Sequence, residues 1–276
     1  MRLLRTREIG WALASTGLGV GAVLVAGWLG WPGTPFDCTA NPCYCELPSP
    51  GLVRQIGNTW SNLGAVAAGL FVAVLAARSR LAREGAHAPD AALDVLGVLA
   101  PPALVFQGVG SMFFHGGLTV WGSALDAMSM FAIAGLLVLT QGLRLGWLDA
   151  RGLVRAWGVL LLGGLVVGFV SPPLVAALVF VLFLSILAGE VLLSRRGQSP
   201  SSSLFRIGLA THVSAVAVWF FSAGEGLPLC EPRSVWQGHG LWHLAAAAAV
   251  TLMVLHLAEN LALAPRPRSS ASVSAP

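Results

Sequence analysis

The chain is too apolar and too sparsely charged for a soluble globular protein. Of its 276 residues, 56% are hydrophobic and 10% are charged, with a mean hydropathy of +0.77; a soluble domain carries about 25% charged residues. The net charge of +4 does not indicate nucleic-acid binding, because no basic patch is interleaved with aromatic residues. This length accommodates seven or eight membrane-spanning helices of roughly 20 residues each, without a separate soluble domain.

Apolar segments predict eight membrane-spanning helices. In chain order they cover residues 10–31, 56–77, 92–113, 122–143, 153–170, 174–193, 204–222 and 240–262. The first segment resembles a secretory signal peptide because basic residues precede it. Its apolar run is long and no small-residue cleavage site follows, so we expect a retained helix. The segment 263–276, rich in Pro, Ser and Arg, is expected to be a disordered cytoplasmic tail.

The distribution of arginine predicts the orientation in the membrane. The chain has 16 basic residues, all of them arginine. With a cytoplasmic N-terminus, 14 arginines fall on the cytoplasmic side and only Arg54 and Arg233 fall outside, a bias typical of membrane proteins. We therefore predict that both termini are cytoplasmic. The arginine-only composition, rich in Ala and Gly, favours a bacterial inner membrane whose outer side faces the periplasm.

All four cysteines lie in loops on the predicted outer side. Cys38, Cys43 and Cys45 follow the first span, and Cys230 precedes the last one. Cysteines in an oxidising compartment indicate two disulfides. Three pairings are possible, and the residues alone do not choose between them. A metal cluster is less favoured, because the C-x4-C-x-C spacing lacks the C-x2-C step of zinc knuckles.

Five polar residues inside apolar spans form the candidate site: Ser111, His115, Asp126, His239 and His243. Residues four positions apart stack on one face of a helix. The predicted topology places all five at the outer ends of three helices. Three imidazoles near a carboxylate suit zinc with a fourth position open for water. Because ionisable groups at membrane depth are costly and usually functional, the pattern indicates an intramembrane zinc hydrolase.

Polar residues also follow one face at the start of the second span. Asn58, Ser61 and Asn62 lie at positions i, i+3 and i+4. They are able to hydrogen-bond either the site histidines or neighbouring helices. Both interpretations stay open at the level of sequence.

Three further ionisable residues in the spans are expected to be structural. His212 lies mid-span and is expected to make a hydrogen bond between helices. His256 lies on a different face from His243, near the inner end of the last span. Glu190 is expected to pair with an arginine such as Arg195.

The order S-x3-H, an aspartate eleven residues on, and H-x3-H in the last span resembles the alkaline ceramidase family. That family belongs to a superfamily of seven-helix membrane hydrolases that includes the adiponectin-receptor-like proteins. The matching stretches lie at 45–46, 58–63, 110–115, 125–126 and 239–243. The resemblance covers about residues 43–262. It implies an all-α membrane protein with a seven-helix domain over 33–262, preceded by an additional N-terminal helix within 1–32.

The resemblance also implies roles for the five site residues. His115, His239 and His243 would bind zinc, Asp126 would take a proton from water, and Ser111 would help stabilise the oxyanion. The reaction would be hydrolysis of the amide bond of ceramide, a membrane lipid, to a long-chain base and a fatty acid, as part of sphingolipid metabolism. A lipid esterase or phospholipase is an alternative, since zinc chemistry serves both bonds. A non-catalytic receptor with a metal-stapled fold is another.

Two further features of the family concern the first outer loop. A disulfide to the loop before the last helix is implied, pairing Cys45 with Cys230 and leaving Cys38 with Cys43. The calcium site of the eukaryotic ceramidases matches only at Glu46, because Cys43 and Gln55 stand where the family has acidic residues. The loss of two carboxylates weakens a site for a hard cation, so we do not expect calcium to regulate this protein.

Overall fold

The computed structural model describes residues 6–39, 43–83 and 91–263. Apart from one isolated β-bridge, the regular secondary structure in these ranges is helical. The helices are α1 (Arg7–Trp28), α2 (Ile56–Ser61), α3 (Leu63–Arg83), α4 (Ala91–Gly117), α5 (Val120–Arg144), α6 (Ala150–Val170), α7 (Pro172–Arg195), α8 (Ser203–Phe221) and α9 (Gly238–Leu263). With α2 and α3 counted as one span, eight of the described segments are long and apolar enough to cross a membrane. The expectation of an all-helical integral membrane protein is confirmed. The predicted disordered tail from residue 264 onward lies outside the described residues.

The second span is interrupted at Asn62, which the hydropathy pattern did not predict. Ser61 Oγ and Asn62 Nδ2 both donate to the Asn58 carbonyl, at 3.0 and 2.9 Å. The backbone N–H of Asn62 turns instead to the Thr59 carbonyl, at 3.4 Å. Polar side chains that compete for a helix carbonyl weaken the backbone ladder. The result is the short helix α2, set apart from α3.

The first span ends earlier than predicted, at Trp28 rather than at residue 31. Gly30 and Trp31 both have positive φ, 76° and 56°, so the chain turns back sharply. The Trp31 indole N–H donates to the Leu52 carbonyl at 2.8 Å. This turn ties the end of α1 to the segment that leads into α2.

Helix α4 is the centre of the bundle and packs against α1, α2, α3, α5 and α9. Its approach to α5 is close because glycines face the opposing backbone. A Cβ on Gly110 would lie 2.7 Å from the Leu125 carbonyl oxygen, and one on Gly122 would lie 2.5 Å from the Phe113 carbonyl oxygen. Small residues allow membrane helices such contact. The contact therefore sets Ser111, next to Gly110, against the first turns of α5.

Ion pairs fasten the additional helix α1 to the bundle at the end remote from the cysteine loops. The buried Glu8 carboxylate pairs with Arg80 on α3 at 3.3 Å and with Arg7 at 3.4 Å. Arg83 pairs with Asp94 at 3.1 Å and joins α3 to α4. Removing one member of a buried pair leaves an uncompensated charge, so these contacts favour a fixed position for α1.

Glu190 was expected to pair with an arginine such as Arg195, but its close partner is a histidine, and the arginine whose charge acts on it is Arg144. Glu190 Oε2 lies 3.0 Å from His256 Nε2 on α9, and its other oxygen accepts a hydrogen bond from Ser199. The physical reason is that α7 and α9 both pack against α5, which brings Glu190 and His256 together. The linear sequence does not show this arrangement. His256 is structural, as expected, because it joins α7 to α9.

His212 makes its contact between helices by stacking. Its ring lies 4.4 Å from the Phe183 ring, at an interplanar angle of 25°. Its Nδ1 has no hydrogen-bond partner within the part of the chain that the structure describes. The expected hydrogen bond is therefore not made by this nitrogen.

Two disulfides lie in the loops that precede α2 and α9. Cys38 is bonded to Cys43, and Cys45 is bonded to Cys230. This is the pairing that the family resemblance implied. The Leu47 N–H adds a hydrogen bond to the Pro232 carbonyl, at 3.0 Å. The first loop is thereby fixed to the segment that leads into α9.

We expect loss of the Cys45–Cys230 bond to destabilise the protein more than loss of the Cys38–Cys43 bond. The sequence separations are 185 and 5 residues, and the chain-entropy relation gives a difference of up to about 3 kcal/mol. Thermal unfolding of Cys45→Ser/Cys230→Ser and of the matched Cys38→Ser/Cys43→Ser in detergent measures it. An equal fall in Tm for the two variants would contradict the expectation.

The orientation predicted from the arginines is open to a direct test. Reporter fusions at the C-terminus and near Ser199 should be cytoplasmic, and a fusion near Pro228 should be exported. A reporter pair that is active only in one compartment each, such as a fluorescent protein and a periplasmic phosphatase, provides the measurement. An exported signal at Ser199 or a cytoplasmic one at Pro228 would contradict the proposed topology.

Candidate active site

The three candidate histidines form one buried cluster. His115 lies in the last turn of α4, and His239 and His243 lie in the first turns of α9. Each offers a ring nitrogen, and these nitrogens lie within 4.8 Å of one another. The rings are 1%, 2% and 8% exposed, so the cluster is shielded from the surroundings. In the described ranges, no other group of three His, Cys, Asp or Glu side chains meets in this way.

His115 is held by a glutamine that precedes α2. The Gln55 Oε1 atom lies 2.6 Å from His115 Nδ1. Because an amide oxygen only accepts, Nδ1 must carry the hydrogen, and Nε2 is left with a free lone pair. The Gln55 backbone N–H also donates to the His115 carbonyl, at 3.1 Å. Gln55 thus contacts the histidine through both its backbone and its side chain.

His243 is held by Ser61, the last residue of α2. Its Nδ1 lies 2.8 Å from Ser61 Oγ. Asn62 Nδ2 lies 3.1 Å from the same Nδ1 atom and, because an amide nitrogen only donates, makes a contact there rather than a second hydrogen bond when Nδ1 carries the hydrogen. The Ser61 hydroxyl hydrogen goes to the Asn58 carbonyl, which leaves Ser61 Oγ free to accept from His243 Nδ1–H. In that tautomer Nε2 is the nitrogen available to a metal. Of the two interpretations left open for this face, contact with a site histidine describes Ser61 and Asn62, whereas Asn58 contributes through its carbonyl.

The donor set fits a metal ion. His239 Nδ1 is buried without a hydrogen-bond partner among the described residues, and a buried polar atom in this state is costly unless something satisfies it. The Nδ1 atoms of the other two rings face partners from α2 and the segment before it, which is how ligating imidazoles are commonly oriented. The buried cluster could hold a metal ion with three nitrogen ligands.

Asp126 and Ser111 lie beside the cluster and are outside the ligand group. The Ser111 side chain lies next to the Asp126 carboxylate, as the close contact between α4 and α5 allows. The Asp126 carboxylate is not part of the group of ligand atoms that lie within 4.8 Å of one another. The structure therefore brings all five predicted residues to one end of the bundle, with the carboxylate free of the ligand positions.

Tyr44, the only tyrosine of the chain, is a site residue that the sequence reasoning missed. Its ring stacks on His239 with centroids 3.6 Å apart and an interplanar angle of 19°. Burial raises the pKa of Tyr44 to about 12, and the nearby negative charge of Asp126 adds to the shift, while a hydrogen bond to Trp219 opposes it. A loop position between two disulfide-bonded cysteines was the only available signal.

Glu46 and its neighbours do not fit a calcium site. The two Glu46 carboxylate oxygens accept the backbone N–H groups of Gly57 and Asn58, both at 2.8 Å. Burial raises the pKa of the Glu46 carboxyl, and these helix amides partly offset that shift. The Gln55 amide presents N–H donors, rather than oxygen, to the surrounding carbonyls. Calcium requires a shell of six to eight oxygens directed at one point, so Glu46 serves here as a cap of α2.

Comparison with models of known protein families shows to which family the chain belongs. A family model described as Ceramidase matches residues 51–269, well over half of the chain. The chain belongs to the ceramidase family. A search of the curated proteins finds no match. The region matched to the ceramidase model contains the five predicted site residues and begins after α1.

We expect the ceramidase histidine cluster to bind one divalent metal ion per chain. His239→Ala/His243→Ala should lose the metal, because two of three ligands are removed. His212→Ala is the matched control, since it removes a histidine whose Nδ1 has no partner among the described residues. Metal analysis of the purified proteins after dialysis against a defined zinc buffer measures this. Equal zinc content in the double variant and the wild type would exclude the site.

Proposed function

We propose that this protein is a zinc-dependent intramembrane amidase that hydrolyses ceramide or a related N-acyl lipid to a long-chain base and a fatty acid. Membership of the ceramidase family supports the substrate class. The observation that carries the proposal is the buried three-histidine cluster next to the Ser111–Asp126 pair. A set of three ligands with a carboxylate alongside is the arrangement of a catalytic zinc site, whereas structural sites are closed by four ligands.

His115, His239 and His243 would hold the metal. When bound, zinc polarises a carbonyl and lowers the pKa of water to about 7, which makes hydroxide available for attack. The rigid partners of the imidazoles, Gln55 and Ser61, keep the ligand rings in fixed orientations. A non-catalytic role as a staple would not require the adjacent carboxylate and hydroxyl.

Asp126 would move the protons of the reaction. It accepts a proton from the water that attacks the amide carbonyl carbon. When the C–N bond breaks, it returns that proton to the amine of the leaving long-chain base. The same carboxylate thus acts first as base and then as acid. Ser111 orients the carboxylate in the resting structure, and we assign its hydroxyl as a donor to the carbonyl oxygen as negative charge develops there.

A lipid substrate would reach the site from within the bilayer, between α7 and α8. These helices follow each other in the chain, yet α7 packs on α5 and α6 while α8 packs on α9. The Phe183–His212 ring stack bridges α7 and α8 near their midpoints. Because the backbones of the two helices pack on different partners, the gap between them supports a lateral path toward Trp242 on α9 and the site histidines. The orientation predicted from the arginines directs this path to the outer leaflet of a bacterial inner membrane.

Substitution of the two non-ligand residues tests the chemical roles. Asp126→Asn should keep its zinc but lose activity by a factor of about 10² or more, because proton transfer is removed. Ser111→Ala should lose less, since the metal still polarises the carbonyl. Asp94→Asn, which neutralises a carboxylate at the opposite end of the bundle, is the control. Fatty-acid release from ceramide and metal content are measured on the same preparations; wild-type activity in Asp126→Asn would refute its role.

The nature of the cleaved bond is tested with paired substrates. Zinc-loaded wild type is incubated with ceramides of several chain lengths and with ester lipids that carry the same acyl chains. We expect release of fatty acid and long-chain base from the ceramides. Release from the esters alone would replace the amidase by a lipid esterase or phospholipase.

A further inference from the structure

Gln55 joins a site histidine to the outer loop by a complete set of hydrogen bonds. The side chain is fully buried. Its Oε1 faces His115 Nδ1 at 2.6 Å, and its Nε2 donates to the carbonyls of Cys43 and Glu46 at 2.7 and 2.6 Å. Both amide hydrogens and the amide oxygen are therefore in use. An amide is the side chain that offers two donors and an acceptor at these positions.

We propose that Gln55 is a positioning residue that fixes the tautomer of His115 and holds the loop 43–46 over the metal cluster without the aid of a cation. The proposal rests on the proposed metal site. Through Nδ1, Gln55 directs His115 Nε2 toward the metal position. Through the Cys43 and Glu46 carbonyls it fixes the loop that carries Tyr44, whose ring lies on His239. One side chain thus connects two of the three ligand rings.

Whether residue 55 carries an amide or a carboxylate determines whether the loop 43–46 requires a cation. A carboxylate at position 55 would keep the acceptor for His115 Nδ1 but would lose both donors. The Cys43 and Glu46 carbonyl oxygens would then face another oxygen, and a hard divalent cation between them is one way to relieve that repulsion. Because the Glu46 carboxylate is already engaged by the N–H groups of Gly57 and Asn58, hydrogen bonds together with the two disulfides close the native loop without a cation.

The two functions of Gln55 are separable by substitution. Gln55→Met has similar length and removes the acceptor and both donors, whereas Gln55→Glu removes only the donors. Gln141 provides matched controls, because it is also a buried helix-bundle glutamine and its Nε2 donates to the Ile186 carbonyl at 3.0 Å. Gln141→Met and Gln141→Glu report the general cost of altering a buried amide away from the site.

The affinity for Zn²⁺, measured by competition with a chromophoric chelator, tests the tautomer. Loss of the partner of a ligating histidine typically weakens metal binding 10–100-fold, so we expect about that loss in Gln55→Met. Gln55→Glu should stay close to wild type because it still accepts from Nδ1–H, and both Gln141 variants should be unchanged. Wild-type affinity in Gln55→Met, or equal losses in Gln55→Met and Gln55→Glu, would overturn the proposal.

Thermal unfolding with and without Ca²⁺, at a fixed Zn²⁺ concentration, tests the loop. The wild type and Gln141→Glu should show no calcium-dependent change of Tm, whereas Gln55→Glu should have a lowered Tm that Ca²⁺ raises. A calcium shift in the wild type as large as that in the variant would overturn the proposal. This measurement stands even if Gln55→Met fails to fold. Because neither readout involves turnover, an absence of ceramide hydrolysis would refute the proposed function without affecting this result.

Discussion

The site depends on keeping one ring nitrogen of His115 and of His243 free while a hydrogen bond fixes the other nitrogen, in an apolar interior that offers little water as an alternative partner. A buried polar group that has no hydrogen-bond partner in an apolar interior lowers the stability of the fold by on the order of several kcal/mol. Gln55 and Ser61 meet this requirement for His115 and His243. Ser61 lies in α2 and Gln55 directly precedes it. This short helix exists as a separate element because polar side chains interrupt the span at Asn62.

The two ends of the bundle are stabilised by different chemistry. At the end that carries the cysteine loops, disulfides and hydrogen bonds from these loops hold the histidines and Tyr44 in place. At the opposite end, the Glu8–Arg80 ion pair and the contact between Glu190 and His256 join the helices. Between them lies a core of aliphatic side chains around α4 and α5. The Glu8–Arg80 and Arg83–Asp94 ion pairs thus support the fold at a distance from the histidine cluster.

Much of this organisation was readable from the sequence, because hydropathy and the four-residue spacing of Ser111–His115 and His239–His243 are local signals. The break at Asn62 had a local signal too, in the polar face of α2, but its outcome depended on a competition for one carbonyl. Tyr44 and Gln55 were missed as contact residues because they lie outside the spans and meet the histidines only after the loop folds. The Glu190–His256 pair was missed because which helices become neighbours is a property of the whole bundle.

Gly110 and Gly122 limit how such a site can diversify. A methyl group at Gly110 would lie 2.7 Å from both the Leu125 carbonyl oxygen and the Ser129 Cβ, and one at Gly122 would meet the Phe113 carbonyl. The obstructing atoms belong to backbones or short side chains, which cannot move aside by changing rotamer. The backbones that carry Ser111 and Asp126 are therefore held together as a single rigid unit. Under the proposed function, adaptation to lipids of other shapes would have to arise in α6, α7 and α8, whose many exposed apolar side chains tolerate exchange.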